Sequence, residues 1–292
     1  MKPGFPEHFS ELEVWASHAG VTLAEARVRL AQYAILASIA SFQPVSRSLV
    51  FKGGNALDLA RLPNRSTRDL DFSIDHSQTS DAFLVSTNKS ALSPIFLAAD
   101  SLFGVLLAVN SVIIRPPGDS RTRQSIDIRI GYALADEIRL RARMQLGKAS
   151  NQVVPIEIST NEVICATTDW AVAGPGQTLR VSTFEEIVSE KLRALAQQVP
   201  RNRTRPQDVL DIAVIVQTVP DLAMGEIASF LIRKAEIRDI TISRQTFSDE
   251  QLWQRARVGY DALQSTVRTV FIPFEEARLI VLALVAKLNL PE

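Results

Sequence analysis

Asp69 and Asp71 stand two residues apart in Arg68-Asp69-Leu70-Asp71-Phe72-Ser73-Ile74, a stretch in which charged or polar side chains alternate with apolar ones. That period of two is the pattern of a half-buried strand, and it directs both carboxylates to one face with their Cα atoms about 7 Å apart. Two carboxylates on one face repel each other unless a cation lies between them. Oxygen ligands suit Mg²⁺, which commonly completes its shell with phosphate oxygens, so the pair points to phosphoryl chemistry. An exposed strand bearing two solvated acids would show the same spacing, and the pair alone is a weak signal.

The turn that precedes it adds weight. Gly53 and Gly54 follow the apolar run Ser48 to Phe51 and Lys52, and Asn55 to Leu62 then reads as a short helix stopped by Pro63. Glycines at such a turn let backbone N–H groups approach an anion, and the helix N-terminus adds partial positive charge. A triphosphate could lie across the turn and the acid strand together. Two glycines by themselves make only a tight turn; the succession of glycine turn, helix and acid strand is more specific.

Elements on either side must hold these pieces. Residues 22 to 42 space Leu23, Ala26, Leu30, Tyr33, Ala34 and Ala37 as a helix, with Thr22 as its N-cap. A helix is expected from about Ser80 to Ser101, interrupted near Pro94, then strands at Gly104 to Ile114, Gln124 to Tyr132 and Val153 to Ser159. From Ser182 onward the pattern turns helical, at 183–198, 206–218, 221–236, 248–268 and 273–288. The expected division is a mixed α/β domain over 1–175 and a helical domain over 176–292, parted near Gly174-Pro175-Gly176. There is no internal repeat.

Composition excludes several classes of protein. With 292 residues, 46% of them hydrophobic, the chain can bury an ordinary core and is neither a fibre nor a disordered tail. Lys and Arg number 32, as do Asp and Glu, so a polyanion would have to be held by local patches. Two such patches are Arg201, Arg203 and Arg205 in one short loop, and residues 115–148, with eight basic residues against four acidic. Either could hold an RNA backbone or simply be solvated surface. The single Cys165 has no internal partner, no Cys/His cluster has zinc-ligand spacing, and His8, His18 and His76 are scattered, which suits a reducing cytoplasm and assembles no Ser/His/Asp constellation. Trp15, Trp170 and Trp253 read as packing residues. The N-terminus lacks the basic and apolar segments of a signal peptide, and the run Leu279 to Leu290 falls short of the roughly 20 residues that span a bilayer. No membrane partner is expected.

Phe51-Lys52-Gly53-Gly54-Asn55-Ala56-Leu57 followed by Arg65-Ser66-Thr67-Arg68-Asp69-Leu70-Asp71-Phe72 resembles the AbiEii/AbiGii-type nucleotidyltransferase toxins of the DNA polymerase β-like superfamily. Their pattern is an apolar strand, Lys-Gly-Gly-Thr, and Arg-x-Ser-x-Asp-Ile/Leu-Asp; here Asn55 stands for the threonine and Thr67 for the serine. The resemblance continues through Glu190-Lys191-Leu192-Arg193-Ala194-Leu195 and Arg205-Pro206-Gln207-Asp208-Val209-Leu210-Asp211, which look like the family's Glu-Lys-x-x-Ala-Leu and Asp-x-x-Asp segments. The matched motifs run from about 50 to 211.

The resemblance implies an α+β fold: a polymerase β-like mixed sheet with helices, plus a helical C-terminal domain, with the active cleft between them and Lys191 on its helical side. It implies transfer of a nucleoside monophosphate from an NTP to an acceptor, with two Mg²⁺ ions held by Asp69, Asp71 and a third acid. Glu157, in Ile156-Glu157-Ile158, resembles that third acid, and Asp127 competes with it. The nucleotide-contacting residues it implies are Lys52, Gly53, Gly54, Arg65, Thr67 and Lys191, and the catalytic set is Asp69, Asp71, Lys191, Asp208 and Asp211. Asp208 and Asp211, neighbours on one helical face, could orient Lys191 or Arg193. The implied partners are RNA, tRNA among them, as acceptor, and an antitoxin as regulator in a toxin–antitoxin or phage-defence pair. Transfer to a protein or small-molecule hydroxyl, or a non-catalytic binding module of the same fold, would share these motifs.

Overall fold

The computed structural model describes residues 4–65, 67–75, 89–115, 125–160, 162–173 and 176–291. The chain divides into two compact units, one of Met1–Ala60, Thr67–Asn161 and Thr168–Val181, the other of Arg61–Ser66, Glu162–Thr167 and Ser182–Glu292. The main break thus falls at Val181/Ser182 rather than at the expected 175/176; residues 174 and 175 lie outside the described residues. No helix among the described residues is long and apolar enough to cross a membrane.

In the first unit, α1 (Leu12–Ala19) turns at Gly20 into α2 (Leu23–Ser41). Thr22 and Glu25 form a reciprocal cap: the Glu25 N–H donates to Thr22 Oγ1 at 3.2 Å, and the Thr22 N–H donates to Glu25 Oε2 at 2.9 Å. Beyond its first turns α2 is buried nearly all round, the expectation for a helix enclosed in a core. The strands are β1 (Leu49–Lys52), β2 (Leu70–Ile74), β3 (Val105–Arg115), β4 (Ser125–Leu134), β5 (Val153–Ser159), β6 (Thr167–Ala171) and β7 (Thr178–Ser182). They form one mixed sheet in the order β3-β4-β5-β2-β1-β7-β6. β2 pairs antiparallel with β1 and parallel with β5, placing it in the interior of the sheet.

Alternation then decides what faces where. Leu49 and Phe51, Leu70, Phe72 and Ile74, Ile156 and Ile158, and Ile126 and Ile128 point into the core that holds α2. The intervening residues Lys52, Asp71, Glu157 and Asp127 must point to the opposite face. Trp170 joins the core side, its ring stacked 6.0 Å from Phe51.

A helix of one turn, α3 (Gly53–Ala56), follows β1 and continues as a π-turn over Leu57–Arg61, two residues ahead of the expected start at Asn55. Between β2 and β3 the described residues form short helical turns at Lys89–Leu92 and, with Pro94, at Ser93–Phe96, then α4 (Ala99–Phe103). The first part of the helix expected from Ser80 lies outside the described residues, as does His76. One helix that periodicity did not predict, α5 (Ile138–Gln145), buries only Met144 and so has no apolar stripe to reveal it.

Arg29 and Asp58 form an ion pair inside this unit, at 3% and 1% exposure. Breaking one side of such a pair leaves an uncompensated buried charge. Asp58→Asn is therefore expected to lower the unfolding free energy by about 3–5 kcal/mol, read from urea melts. A shift below about 1 kcal/mol would mean that the Arg29 guanidinium finds compensation elsewhere.

The second unit is built on α6 (Phe184–Ala196), α7 (Pro206–Thr218), α8 (Met224–Glu236), α9 (Glu250–Arg257) and α10 (Phe274–Lys287). Thr183 caps α6 by accepting from the Glu186 N–H, and Pro206 opens α7, where its missing N–H costs no hydrogen bond. α6 packs on α7 and α8, and α7 packs on α10. The helix expected over 248–268 is instead α9 and a separate 3₁₀ stretch, Asp261–Thr266, parted at Gly259, whose φ of 77° no right-handed helix accommodates.

Candidate active site

Gly53 is the pivot of the strand-to-helix turn. Its φ is +73°, and a Cβ built on it would lie 2.2 Å from Asp71 Oδ2 and 2.9 Å from Asp71 Cβ and Cγ. The Asp71 carboxylate therefore occupies the space that any larger residue at 53 would fill. Both requirements, left-handed backbone and absent side chain, are met by glycine alone.

Strand register carries the site outward from Asp71. Lys52 is its partner on β1, and Glu157 is its partner on β5. Asp127 on β4 is the partner of Glu157, one strand further away. Lys52, Asp71, Glu157 and Asp127 thus form one row across four adjacent strands. Lys52 reaches over β2, and its Nζ donates to Ser159 Oγ at 3.0 Å. Of the two competing acids, Glu157 is the direct neighbour of Asp71, whereas Asp127 is engaged by Arg115 and accepts from Ser125 Oγ at 3.3 Å.

Asp69 sits one residue ahead of β2, so the acid strand is shorter at its start than alternation suggested. Its segment is tied down from the protein side. Asn55 Nδ2 donates to the carbonyls of Thr67 at 3.1 Å and Asp69 at 2.5 Å, and Gln32 Nε2 donates to those of Thr67 at 3.0 Å and Arg68 at 3.1 Å. Asn55 is fully buried, so it presents nothing to a nucleotide. Thr67 Oγ1 is a buried hydroxyl with no hydrogen-bond partner among the described residues. The Arg68 and Asp69 residues are exposed.

The donor set suits a hard divalent cation: carboxylate oxygens only, two residues apart and in register with a third. Among the described residues, no three or more of His, Cys, Asp and Glu are gathered closely enough to hold a metal ion by themselves. The two facts are compatible for magnesium, which keeps water and phosphate oxygens and needs only one or two carboxylates from the protein.

The helical unit contains the other sequence-predicted residues. Lys191 on α6 is 8% exposed, and its ammonium donates to Asp208 Oδ1 at 2.9 Å and Asp211 Oδ2 at 2.7 Å on α7. Arg65, in the same unit, shares Asp211, donating from Nη2 to Oδ2 at 3.1 Å. The two aspartates therefore orient Lys191 and Arg65. Arg193, the alternative, is not held by them: its guanidinium bonds Glu190 one turn back and Gln197 one turn on, the nearer partners on its own helix. Asp208 Oδ2 is buried without a partner among the described residues. Arg201 and Arg203 are exposed, and the Asn202 between them accepts from Arg255 Nη1 at 2.7 Å.

Burial alone would lower the Lys191 pKa, but the charges and hydrogen bonds of Asp208 and Asp211 outweigh it and hold it above the usual lysine value. Burial would likewise raise Asp211, and Lys191 with Arg65 outweighs it and holds the carboxyl below the usual aspartate value. The Lys191 contribution is then complete below the ordinary lysine pKa and lost as pH rises through the raised one. The Asp211 contribution is complete above the ordinary aspartate pKa and lost as pH falls through the lowered one. Asp211→Asn is expected to be less stable than the wild type by about 3–5 kcal/mol near neutrality, with the gap closing only below about pH 4. Urea midpoints across pH check this, and equal midpoints at pH 7 would show that the pair is energetically idle.

Comparison with known proteins bears on the chain as a whole. The family model described as nucleotidyl transferase AbiEii toxin, type IV TA system, matches residues 34–278. No curated protein matches. Among solved structures, MenT4, a nucleotidyltransferase toxin from Mycobacterium tuberculosis H37Rv, is similar with a TM-score of 0.60 at 20% identity, covering 95% of this chain and 90% of that one. JHP933 from Helicobacter pylori is similar with a TM-score of 0.48 at 18% identity, covering 88% of each chain. At 20% identity the likeness to MenT4 is one of fold.

Proposed function

The chain belongs to the AbiEii nucleotidyltransferase toxin family of type IV toxin–antitoxin systems, and from that premise we propose that it transfers a nucleoside monophosphate from an NTP to RNA, tRNA being the acceptor class, with release of pyrophosphate. Its setting in this reading is the cytoplasm, as the toxin of a pair that serves phage defence and is answered by a cognate antitoxin. The observation that carries the proposal is the Asp71 carboxylate lying against Gly53 at the glycine turn, with Glu157 next to it in register.

Asp69, Asp71 and Glu157 are the residues that would hold Mg²⁺, two ions in all with no more than two of these carboxylates to an ion; bound there, the metal would supply charge neutralisation and Lewis acidity to the acceptor and leaving-group oxygens. The chain's own contribution is to position and to neutralise. Gly53 and Gly54 offer backbone without side-chain bulk, so phosphate oxygens can approach N–H groups. Lys52, on the same sheet face as Asp71, supplies a compact positive charge that phosphate oxygens would share with Ser159. The Thr67 hydroxyl is buried, so a nucleotide would reach it only if residue 67 turned outward. In the helical unit, Lys191 spends two of its three N–H groups on Asp208 and Asp211 and retains one for a phosphate oxygen, and Arg65 adds a guanidinium aligned by Asp211.

Incubation with each labelled NTP, Mg²⁺ and total RNA tests the proposal directly. Label should appear in RNA, in the tRNA size class, and should depend on the divalent ion. Label on protein would reassign the acceptor, and RNA retention with no label anywhere would replace the transferase with a binding module.

A further inference from the structure

Gln32 and Asn55 are polar residues with no exposed surface, and the reaction as described gives them no task. Their amides capture three successive carbonyls, those of Thr67, Arg68 and Asp69, just ahead of β2. The direction of the Asn55 amide is itself fixed: Arg29 Nη1 donates to Asn55 Oδ1 at 3.4 Å, while Arg29 Nη2 is paired with Asp58. Arg29 thus links Asn55 and Asp58, and Gln32, one turn from Arg29 on α2, meets this buried group at the Thr67 carbonyl that it shares with Asn55.

The sheet does not do this work for Asp69. Asp71 is held by ladder partners on both sides, Lys52 and Glu157, whereas the pairing of β2 with β5 begins at Leu70 and that with β1 ends at Asp71. The backbone of Asp69 is instead fixed where Asn55 meets its carbonyl. The threonine that the family's motif carries at this place has one hydroxyl proton and could serve only one carbonyl; the amide of Asn55 serves two. We infer that Asn55 and Gln32 are positioning residues, whose amides set the path of residues 67–69 and so the spacing of the Asp69 carboxylate from that of Asp71. The inference rests on Asp69 and Asp71 being the seat of transfer.

The test compares full-length Asn55→Ala, Gln32→Ala and Asp71→Ala proteins. Transfer is measured across Mg²⁺ concentrations, and hydrogen–deuterium exchange is followed in the peptide covering residues 67–72. Each amide variant should lose about 10- to 100-fold in kcat, the scale typical of partners that orient metal ligands. The Mg²⁺ concentration for half-maximal activity should rise, KM for NTP should change little, and residues 67–69 should exchange faster while β1 and β5 stay protected. Folded variants with unchanged Mg²⁺ dependence and unchanged exchange at 67–69 would overturn the positioning role. Should Asn55→Ala unfold the chain, Gln32→Ala, which leaves Arg29, Asn55 and Asp58 together, decides by the same two readouts. An inactive Asp71→Ala beside amide variants of wild-type behaviour removes the positioning role alone; an active Asp71→Ala removes the site and the inference with it.

Discussion

Asp71→Ala abolishes nucleotidyl transfer, by a factor on the order of 10³ or more, while the protein stays folded; that is the expected result with the largest effect, and its scale is that of deleting a preorganised partner of transition-state charge. Asp71 lies on the polar face of the sheet, opposite the core residues Leu70 and Phe72, so its removal opens no apolar cavity. Its backbone pairing with Lys52 and Glu157 does not depend on the side chain. Melting temperature should therefore move by no more than a few degrees. Asp71→Asn keeps the shape and removes the charge, and should be as inactive as the alanine variant if charge is what matters. The same assay separates the two candidates for the third acid. Glu157→Gln should approach the Asp71 variants, because Glu157 neighbours Asp71 in register. Asp127→Asn should stay within about tenfold of wild type, because Asp127 lies a strand further out and is already engaged by Arg115. Activity of Asp71→Ala above a tenth of wild type would place the chemistry elsewhere.

What the sequence reveals of the fold and the site depends on the range of the interactions involved. Alternation at Arg68 to Ile74 and the glycines after an apolar run are local signals, and β1, β2 and the helical stretch 53–61 made of α3 and its π-turn begin and end within two residues of where these signals predict them. The capping pair Thr22 and Glu25 is local as well. The choice between Glu157 and Asp127 was not local: both alternate correctly on their strands, and only the order β4-β5-β2 tells which one lies beside Asp71. Asn55 and Gln32 were opaque for the same reason, since their partners are backbone carbonyls of another segment, which no residue type advertises. Arg193 shows the opposite failure. The Asp208/Asp211 spacing offers it a partner across helices, where Glu190, three residues away on the same helix, is closer. β6, a short strand at the sheet edge whose side chains are nowhere fully buried, and α5, with one buried residue, lack the apolar periodicity by which elements are recognised.

Gly53→Ala should lose transfer nearly as completely as the Asp71 variants, though position 53 contributes no functional side chain. Two costs combine at this position, and they can be separated. The backbone cost comes from φ of +73°, which a Cβ penalises by about 1–2 kcal/mol and which should appear as reduced stability in denaturant. The steric cost comes from the methyl group, which would stand 2.2 Å from Asp71 Oδ2. Asp71 cannot yield by moving its backbone, because β2 is paired on both sides, so the carboxylate must rotate out of the row it shares with Glu157. Activity should consequently fall on the order of 10²-fold or more, in proportion to the charge displaced from the reacting phosphate. Gly53→Asn is the discriminating partner: asparagine tolerates the left-handed region better than alanine but carries the same Cβ. Its stability should recover toward wild type while its activity stays low. If Gly53→Asn instead restores transfer, only backbone freedom matters at the turn, and the close approach of Asp71 to residue 53 has no part in the chemistry.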